Sequence, residues 1–162
     1  MNRNRKMQNK KKLPLRTGVG VVVLNSKNEV FVAKRKDNPI DKWQMPQGGV
    51  DDNEKLIDAM KRELKEETSI CNIKLIKELD YWLEYELPNH LIGIIWKGKF
   101  RGQKQKWFIV KFLGNDNEIN LNTKNQEFIE WKWININDLP RVIVDFKKHI
   151  YEKLVLELAE IN

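Results

Sequence analysis

The feature that most constrains this chain is an amphipathic segment at residues 53–68. Its apolar residues recur at helical spacing, which predicts an α-helix with one buried face. These apolar positions are Leu56, Ile57, Met60 and Leu64. Asp51, Asp52 or Asn53 could cap the start of the helix, because their side chains accept hydrogen bonds from the first unpaired backbone N–H groups.

Segments rich in β-branched residues surround this helix and predict strands. The run from Gly18 to Leu24 has the composition of a buried strand, and a turn at 25–28 would pair it with the next segment as a hairpin. We expect strands at about 18–24, 29–35, 73–86, 91–97, 105–113 and 128–136, and a second helix at 143–160. This order favours a mixed sheet packed between helices.

The basic charge of the chain is concentrated at its start. Residues 1–16 carry seven basic residues and no acidic ones, so they account for the whole net charge of +7. We therefore expect a basic, disordered arm at residues 1–13 and a single domain at residues 14–160. Such an arm is either simply solvated or adds salt-sensitive affinity for a polyanion.

Cysteine content and hydropathy exclude several classes of protein. The single cysteine, Cys71, excludes an internal disulfide and a multi-cysteine metal site. No apolar run reaches the ~18 residues of a membrane span, and no secretory apolar run follows the basic start. We therefore expect a cytoplasmic protein, and a monomer.

Three glutamates share one face of the predicted helix. Glu63, Glu66 and Glu67 stand at positions i, i+3 and i+4, which brings their carboxylates close together. Crowded carboxylates repel each other and raise at least one pKa, and a divalent cation would remove that conflict. Carboxylate oxygens favour Mg²⁺, Mn²⁺ or Ca²⁺ over zinc. The alternative is an ordinary solvated acidic surface.

Two further features favour the metal site over the solvated surface. The Gly48-Gly49 pair lies just before the helix, and glycine allows backbone to approach a ligand or metal closely. Arg62 and Glu54 are placed where they could brace the acidic face.

The segment from residue 48 to residue 70 resembles the Nudix box, the signature of the Nudix hydrolase family. The matching positions are Gly48, Glu54, Arg62, Glu63, Leu64, Glu66, Glu67 and Ile70. Ser69 stands where the family has glycine, at a position expected to end the helix in a left-handed conformation. The segments 43–50, 102–108, 127–133 and 144–151 extend the resemblance to the members that act on RNA 5′ ends or dinucleoside polyphosphates.

The resemblance implies an α+β fold, an α/β/α sandwich around a mixed sheet, and a metal-dependent hydrolase. It implies Mg²⁺ or Mn²⁺, with two or more ions. Glu63 and Glu67 would be the principal ligands, joined by Glu66 and by the Gly48 carbonyl. Glu127 would complete the metal site or act as the base. The resemblance leaves open which carboxylate accepts the proton of the attacking water.

The resemblance also implies a substrate-binding set. The basic candidates for phosphate contacts are Arg16, Lys34, Arg35, Lys104 and Lys106. Their alternative role is that of ordinary solvated charges on strands. Phe146 matches a residue that stacks on a nucleobase, with Lys147 beside it. Phe146 also falls on the apolar stripe of the last predicted helix, so core packing is its alternative.

Three functions follow from this reading. The first is an RNA 5′-pyrophosphohydrolase, which converts a 5′-triphosphate end to a monophosphate. The second is a dinucleoside polyphosphate hydrolase, which the same motifs allow. The third is a non-catalytic RNA-binding module on a Nudix scaffold, since fold alone does not establish function.

Overall fold

The computed structural model describes residues 13–37 and 41–161. The predicted basic arm therefore lies, except for Leu13, outside the described residues. The strands are β1 (Leu15–Leu24), β2 (Val30–Arg35), β3 (Gln47–Gly49), β4 (Ile73–Glu86), β5 (Gly102–Phe112) and β6 (Phe128–Ile134). The helices are α1 (Leu56–Thr68), α2 (Leu139–Val142) and α3 (Lys148–Ile161).

The strands of the described residues form one six-stranded mixed sheet. Its order is β4-β5-β1-β2-β6, and β3 pairs with the first half of β1. β1 and β5 run parallel, whereas the other pairs are antiparallel. In the register of β1 with β3, Val19 lies opposite Gly48. The glycine pair is therefore held against the central strand of the sheet.

Each face of the sheet carries its own hydrophobic core. Successive side chains of a strand point to opposite faces. Val19, Val21 and Val23 accordingly pack with the buried face of α1, and Val22 and Leu24 pack with α3. Helices on both faces of a mixed sheet confirm the predicted sandwich.

The segment predicted as a strand at 91–97 is not a strand. It forms consecutive turns and a 3₁₀ turn at Ile95–Gly98, in which Trp96 and Lys97 have φ of +53° and +57°. Short apolar runs do not distinguish strand from turn by periodicity alone. Leu91, Ile95 and Trp96 instead turn their side chains toward a cleft.

Both predicted helices begin later than expected. α1 starts after Lys55, which makes no side-chain cap, and Asn53 lies in the left-handed region with φ of +63°. The predicted capping by Asp51, Asp52 or Asn53 is therefore wrong. The last helix starts at Lys148, and a 3₁₀ turn at Asp145–Lys147 precedes it. Phe146 consequently lies in a turn rather than on the helix.

In the described part of the chain, no helix combines the length and the hydrophobicity that crossing a membrane requires.

Candidate active site

The site begins where β3 meets α1. A Cβ at position 48 would lie 2.0 Å from Cδ of Glu63, so only glycine lets the strand and this carboxylate pack so closely. The glycine pair of the sequence is thus a requirement of the packing. It places the backbone of β3 directly beside the Glu63 side chain.

Arg62 ties this acidic region together. Its guanidinium donates to both carboxylate oxygens of Glu54, at 2.8 and 2.9 Å, and to the Gly49 carbonyl at 3.0 Å. It also donates to Glu63 at 2.9 Å and to Glu66 at 3.3 Å. The bond from Arg62 lowers the pKa of Glu54 to about 2. The predicted bracing role of Arg62 and Glu54 is confirmed, since together they fix the position of Glu63.

Glu67 is the most deeply buried carboxylate of α1. Its side chain is only 4% exposed. Within residues 13–37 and 41–161, its Oε2 atom has no hydrogen-bond partner. Burial raises the pKa of Glu67 well above its usual range, and the adjacent charge of Glu127 raises it further. Burial likewise raises the pKa of Glu63, although Arg62 opposes that shift.

The chemistry of these donors suits a hard divalent cation. A buried carboxylate with an unsatisfied oxygen, next to a second carboxylate, is stable as an anion only with compensating positive charge. Glu63, Glu67 and Glu127 all face the same cleft. As their side chains stand, no three acidic, histidine or cysteine residues of the described ranges enclose a metal-sized site. The donors therefore fit a metal in chemistry, and binding would require them to converge.

The cleft has a volume of about 690 Å³ and two walls of different character. We call the first the acidic wall, which comprises Gly48, Glu63, Glu67 and Glu127. We call the second the aromatic wall, which comprises Arg16, Tyr85, Trp96, Phe146 and Lys147. Arg35 also lines the cleft, as do several apolar and amide side chains.

Arg16 is held between a backbone surface and an aromatic ring. A Cβ at position 49 would lie 2.2 Å from Nη2 of Arg16, so the guanidinium rests directly on Gly49. On another side, its Cζ lies 5.5 Å from the centroid of the Trp96 ring. A guanidinium fixed in this way is prepared to bind an anion, since little conformational freedom remains to be lost.

Arg35 is fixed by a different partner. Asp37 accepts two hydrogen bonds from its guanidinium, at 2.9 and 3.0 Å. This carboxylate raises the pKa of Arg35, and the charges of Glu127 and Glu67 act in the same direction. Arg35 therefore stands as a permanent positive charge at the acidic end of the cleft.

Phe146, Tyr85 and Lys147 form a compact group on the aromatic wall. The rings of Phe146 and Tyr85 are 5.7 Å apart between centroids. Nζ of Lys147 lies 5.1 Å from the Tyr85 ring and 5.8 Å from the Phe146 ring. Burial lowers the pKa of Lys147 to about 8, and the charge of Arg35 adds to this effect. Lys147 therefore loses its positive charge at a lower pH than an ordinary lysine does.

The sequence profile of the NUDIX domain matches residues 14–154 of the chain. The chain belongs to the Nudix hydrolase family. A relative from Pelagibacter ubique, named RNA pyrophosphohydrolase, is 60% identical over 153 residues, which cover 94% of this chain and 97% of the relative. A relative of the same name from Rhodospirillum rubrum is 47% identical over 147 residues, covering 91% and 88%.

Solved structures agree with the predicted fold. The dihydroneopterin triphosphate pyrophosphohydrolase of E. coli superposes with a TM-score of 0.68 at 24% identity, covering 90% of this chain and 99% of that one. At this identity, the likeness shows the fold alone. The α+β Nudix fold expected from the sequence is thereby confirmed.

The departure of this Nudix hydrolase from the family signature has a clear structural setting. Ser69 ends α1 with φ of +67°, the left-handed conformation expected for the family glycine, and its N–H donates to the Lys65 carbonyl. Its hydroxyl donates to the Asn120 carbonyl at 2.8 Å. This bond offsets part of the ~1–2 kcal/mol that a left-handed residue with a Cβ costs.

The cleft gathers most, but not all, of the residues predicted for the Nudix site. Gly48, Glu63, Glu67, Glu127, Arg16, Arg35, Phe146 and Lys147 line it. Glu66 does not: its side chain is 60% exposed and is bonded to Arg62. Its role as a metal ligand remains a prediction that would require the side chain to turn.

Three predicted lysines also lie outside the cleft. Lys34 pairs with Asp41 at 3.3 Å. Lys104 and Lys106 place their Nζ atoms 5.2 and 5.6 Å from the Trp82 ring. Because side chains alternate along β5, these two lysines and the cleft-facing residues point to opposite faces of the sheet. Their predicted contacts with substrate phosphates stay predictions.

Sequence reasoning missed Tyr85, Trp96, Gln103 and Asp37 as cleft residues. The alternation of Gln103, Gln105 and Trp107 along β5 was a usable signal, since three side chains with hydrogen-bonding groups recur at every second position. No comparable pattern precedes Trp96, because its position depends on a turn with two residues of positive φ.

Proposed function

We propose that this Nudix hydrolase is an RNA 5′-pyrophosphohydrolase. It would cleave a phosphoanhydride bond of a 5′-triphosphate end, releasing pyrophosphate and leaving a 5′-monophosphate. Relatives of this name at 60% and 47% identity support the proposal. The observation that carries it is a cleft that brings together three glutamates, two guanidinium groups fixed by contacts within the protein, and aromatic rings. A polyphosphate joined to a nucleobase needs all of these groups together.

The acidic wall would hold Mg²⁺ or Mn²⁺, in two or more ions, through Glu63, Glu67, Glu127 and the Gly48 carbonyl. When bound, such ions neutralise phosphate oxygens and acidify an attacking water. The protein supplies the rest. Arg62 holds Glu63 in place, and burial raises the pKa of Glu67, which favours protonation of this carboxylate. Glu67 or Glu127 could accept the proton of the attacking water, while the bridging oxygen leaves with the pyrophosphate.

The aromatic wall, together with Arg35 at the acidic end of the cleft, would orient the RNA. Arg16 and Arg35 are the positive groups placed to bind phosphate oxygens, and both are already fixed by contacts within the protein. Phe146, which is partly exposed, offers ring surface to a base of the RNA, and the buried Tyr85 ring packs against it. From the RNA substrate, we also propose that the protein acts in the cytoplasm.

Relative turnover of two substrates tests the proposal. In Mg²⁺, we expect kcat/KM to be higher for 5′-triphosphorylated RNA, measured as released pyrophosphate, than for diadenosine tetraphosphate. The Glu67→Gln variant serves as the inactive control. Strong preference for the dinucleotide would favour the alternative hydrolase. Tight RNA binding without any release of phosphate or pyrophosphate would instead indicate a non-catalytic module.

A further inference from the structure

A chain of hydrogen bonds runs beneath the cleft and begins at an indole. Nε1 of Trp107 donates to Oε1 of Gln105 at 3.1 Å. Nε2 of Gln105 donates to Oε1 of Gln47 at 2.7 Å and to Oε1 of Gln103 at 3.3 Å. The Tyr85 hydroxyl donates to the same Gln103 oxygen at 2.9 Å. Trp107, Gln103 and Gln105 are each 1% exposed.

The indole fixes the direction of every bond in this chain. A tryptophan N–H can only donate, so it must meet the oxygen of the Gln105 amide. The amide nitrogen of Gln105 must then face its other neighbours, Gln47 and Gln103. These two amides are forced to present their oxygens to Gln105. One N–H group of Trp107 therefore decides which way the amide oxygen and nitrogen of all three glutamines are turned.

The last amide of the chain is left with its donors unpaired. Oε1 of Gln103 already accepts two hydrogen bonds, whereas its buried Nε2 has no partner within residues 13–37 and 41–161. A Cβ at position 18 would lie 2.0 Å from this nitrogen, so Gly18 is what leaves room for it. An unpaired buried donor is costly, which makes it a strong site for an acceptor.

The surroundings indicate which acceptor would satisfy it. Gln103 lines the cleft, and in the parallel register of β1 and β5 it lies directly opposite Arg16. A neutral N–H donor beside a fixed guanidinium is suited to an anionic oxygen that accepts from both. A nucleobase donor would meet no free acceptor on Gln103, because the oxygen of this amide is occupied.

We propose that Trp107 and Gln105 are positioning residues that orient Gln103 so that its amide N–H groups bind a phosphate oxygen of the substrate beside Arg16. This deepens the proposed function and rests on it, since it names the group that meets the polyphosphate. Gln103 is the contact residue. Trp107 acts only by fixing the orientation of the amide groups in this chain.

A double-mutant cycle tests this chain of oriented amides, from Trp107 through Gln105 to Gln103, which we call the relay. Gln103→Glu keeps an oxygen for Tyr85 and Gln105 but replaces the donors with a carboxylate oxygen, so kcat/KM on triphosphorylated RNA should fall roughly tenfold or more, mainly through KM. Trp107→Phe keeps the ring but frees the amides to rotate, and should cost roughly threefold to tenfold. In the Gln103→Glu background, Trp107→Phe should cost nothing further. Additive losses would overturn the relay.

A matched control separates the relay from a general loss of an indole hydrogen bond. Trp133 donates to Asp116 at 3.0 Å, outside the cleft, so Trp133→Phe loses a similar bond without touching the amides. We expect this variant to keep the KM of the wild type. An equal rise in KM in both tryptophan variants would show that the effect of Trp107→Phe is structural.

Inorganic pyrophosphate provides a readout that does not depend on RNA cleavage. In ¹⁵N-labelled protein with Mg²⁺, we expect the side-chain amide resonances of Gln103 to shift on addition of pyrophosphate, and the shift to shrink in Trp107→Phe. An unchanged Gln103 amide under saturating pyrophosphate would overturn the inference. Wild-type protein that does not cleave triphosphorylated RNA would overturn the proposed function, and the amide titration would still decide the relay.

Discussion

The acidic wall takes all its residues except Glu127 from residues 48–67, whereas the aromatic wall draws on four separate segments: Arg16, Tyr85, Trp96 and residues 146–147. In the acidic wall, like charges are crowded, and burial raises the pKa values of Glu63 and Glu67. In the aromatic wall, positive charges lie over rings: Arg16 contacts Trp96, and Lys147 contacts Tyr85 and Phe146.

This difference indicates a division of labour. Burial and mutual repulsion of the carboxylates destabilise the acidic wall in its ionised form. A bound cation would relieve this cost. The aromatic wall is already satisfied by internal contacts and offers a fixed surface. We therefore expect substitutions in the first wall to act mainly on kcat, and those in the second to act mainly on KM.

The largest expected effect comes from the acidic wall. Glu67→Gln removes a buried charge that the proposed metal site needs, so kcat on triphosphorylated RNA should fall at least about a hundredfold. Its melting temperature should not fall, because a neutral amide is easier to bury than a carboxylate. Glu152→Gln, an exposed change on α3, is the matched control. If the kcat of Glu67→Gln stays close to that of the wild type, the acidic wall does not carry the chemistry.

The aromatic wall provides the contrasting test. Phe146→Ala should raise KM roughly fivefold to a hundredfold, because stacking on a base contributes ~1–3 kcal/mol, while kcat should change much less. Phe146→Leu keeps apolar bulk against the core but removes the ring. If Phe146→Leu retains the wild-type KM while only the alanine variant is impaired, Phe146 acts by core packing, and the division between the walls is wrong at this residue.

Lys147 should make binding at the aromatic wall depend on pH. Its pKa is lowered to about 8, so the ammonium is present below that pH and lost above it. We expect KM for RNA to rise a few-fold between pH 7 and pH 9 at constant ionic strength. Lys147→Arg, whose guanidinium stays charged throughout, should flatten this rise. Identical profiles for the two proteins would exclude Lys147 as the titrating group.

The same linkage has a stability counterpart. Unfolded chains bind the Lys147 proton up to about pH 10.5, whereas the folded protein releases it near pH 8. Between these values the unfolded state holds more protons, so this residue makes the free energy of unfolding increase with pH. A contribution of opposite sign, obtained by subtracting the Lys147→Arg profile, would contradict the burial of the ammonium group.

The two walls also differ in how far the sequence predicts them. Helical spacing places Glu63 and Glu67 on one face, and the structure keeps them there because the geometry is local. The sequence pattern assigned Trp96 to a strand and did not predict it as a cleft residue, because no spacing rule anticipates two successive residues with positive φ. The charges of Lys104 and Lys106 led to their prediction as phosphate contacts. Because side chains alternate along β5, it is Gln103 that faces the cleft, and the two lysines face the other side of the sheet. Distant contacts place Tyr85 and Trp96 on the aromatic wall, and sequence patterns describe such contacts poorly, although the family resemblance implies Arg16, Phe146 and Lys147.

Ser69 offers the smallest effect and a test of how local the acidic wall is. Ser69→Gly would relieve the ~1–2 kcal/mol cost of a left-handed residue but lose the hydroxyl bond to Asn120, so the net change should stay within about 1 kcal/mol. Ser69→Ala loses the bond and keeps the strain, so its melting temperature should fall by about 2–4 °C. Neither variant should alter kcat, because Ser69 lies beyond the end of α1 and outside the cleft. A changed kcat in Ser69→Gly would show that the helix end controls the placement of Glu67, one turn or less away, and that the acidic wall is less self-contained than its spacing implies.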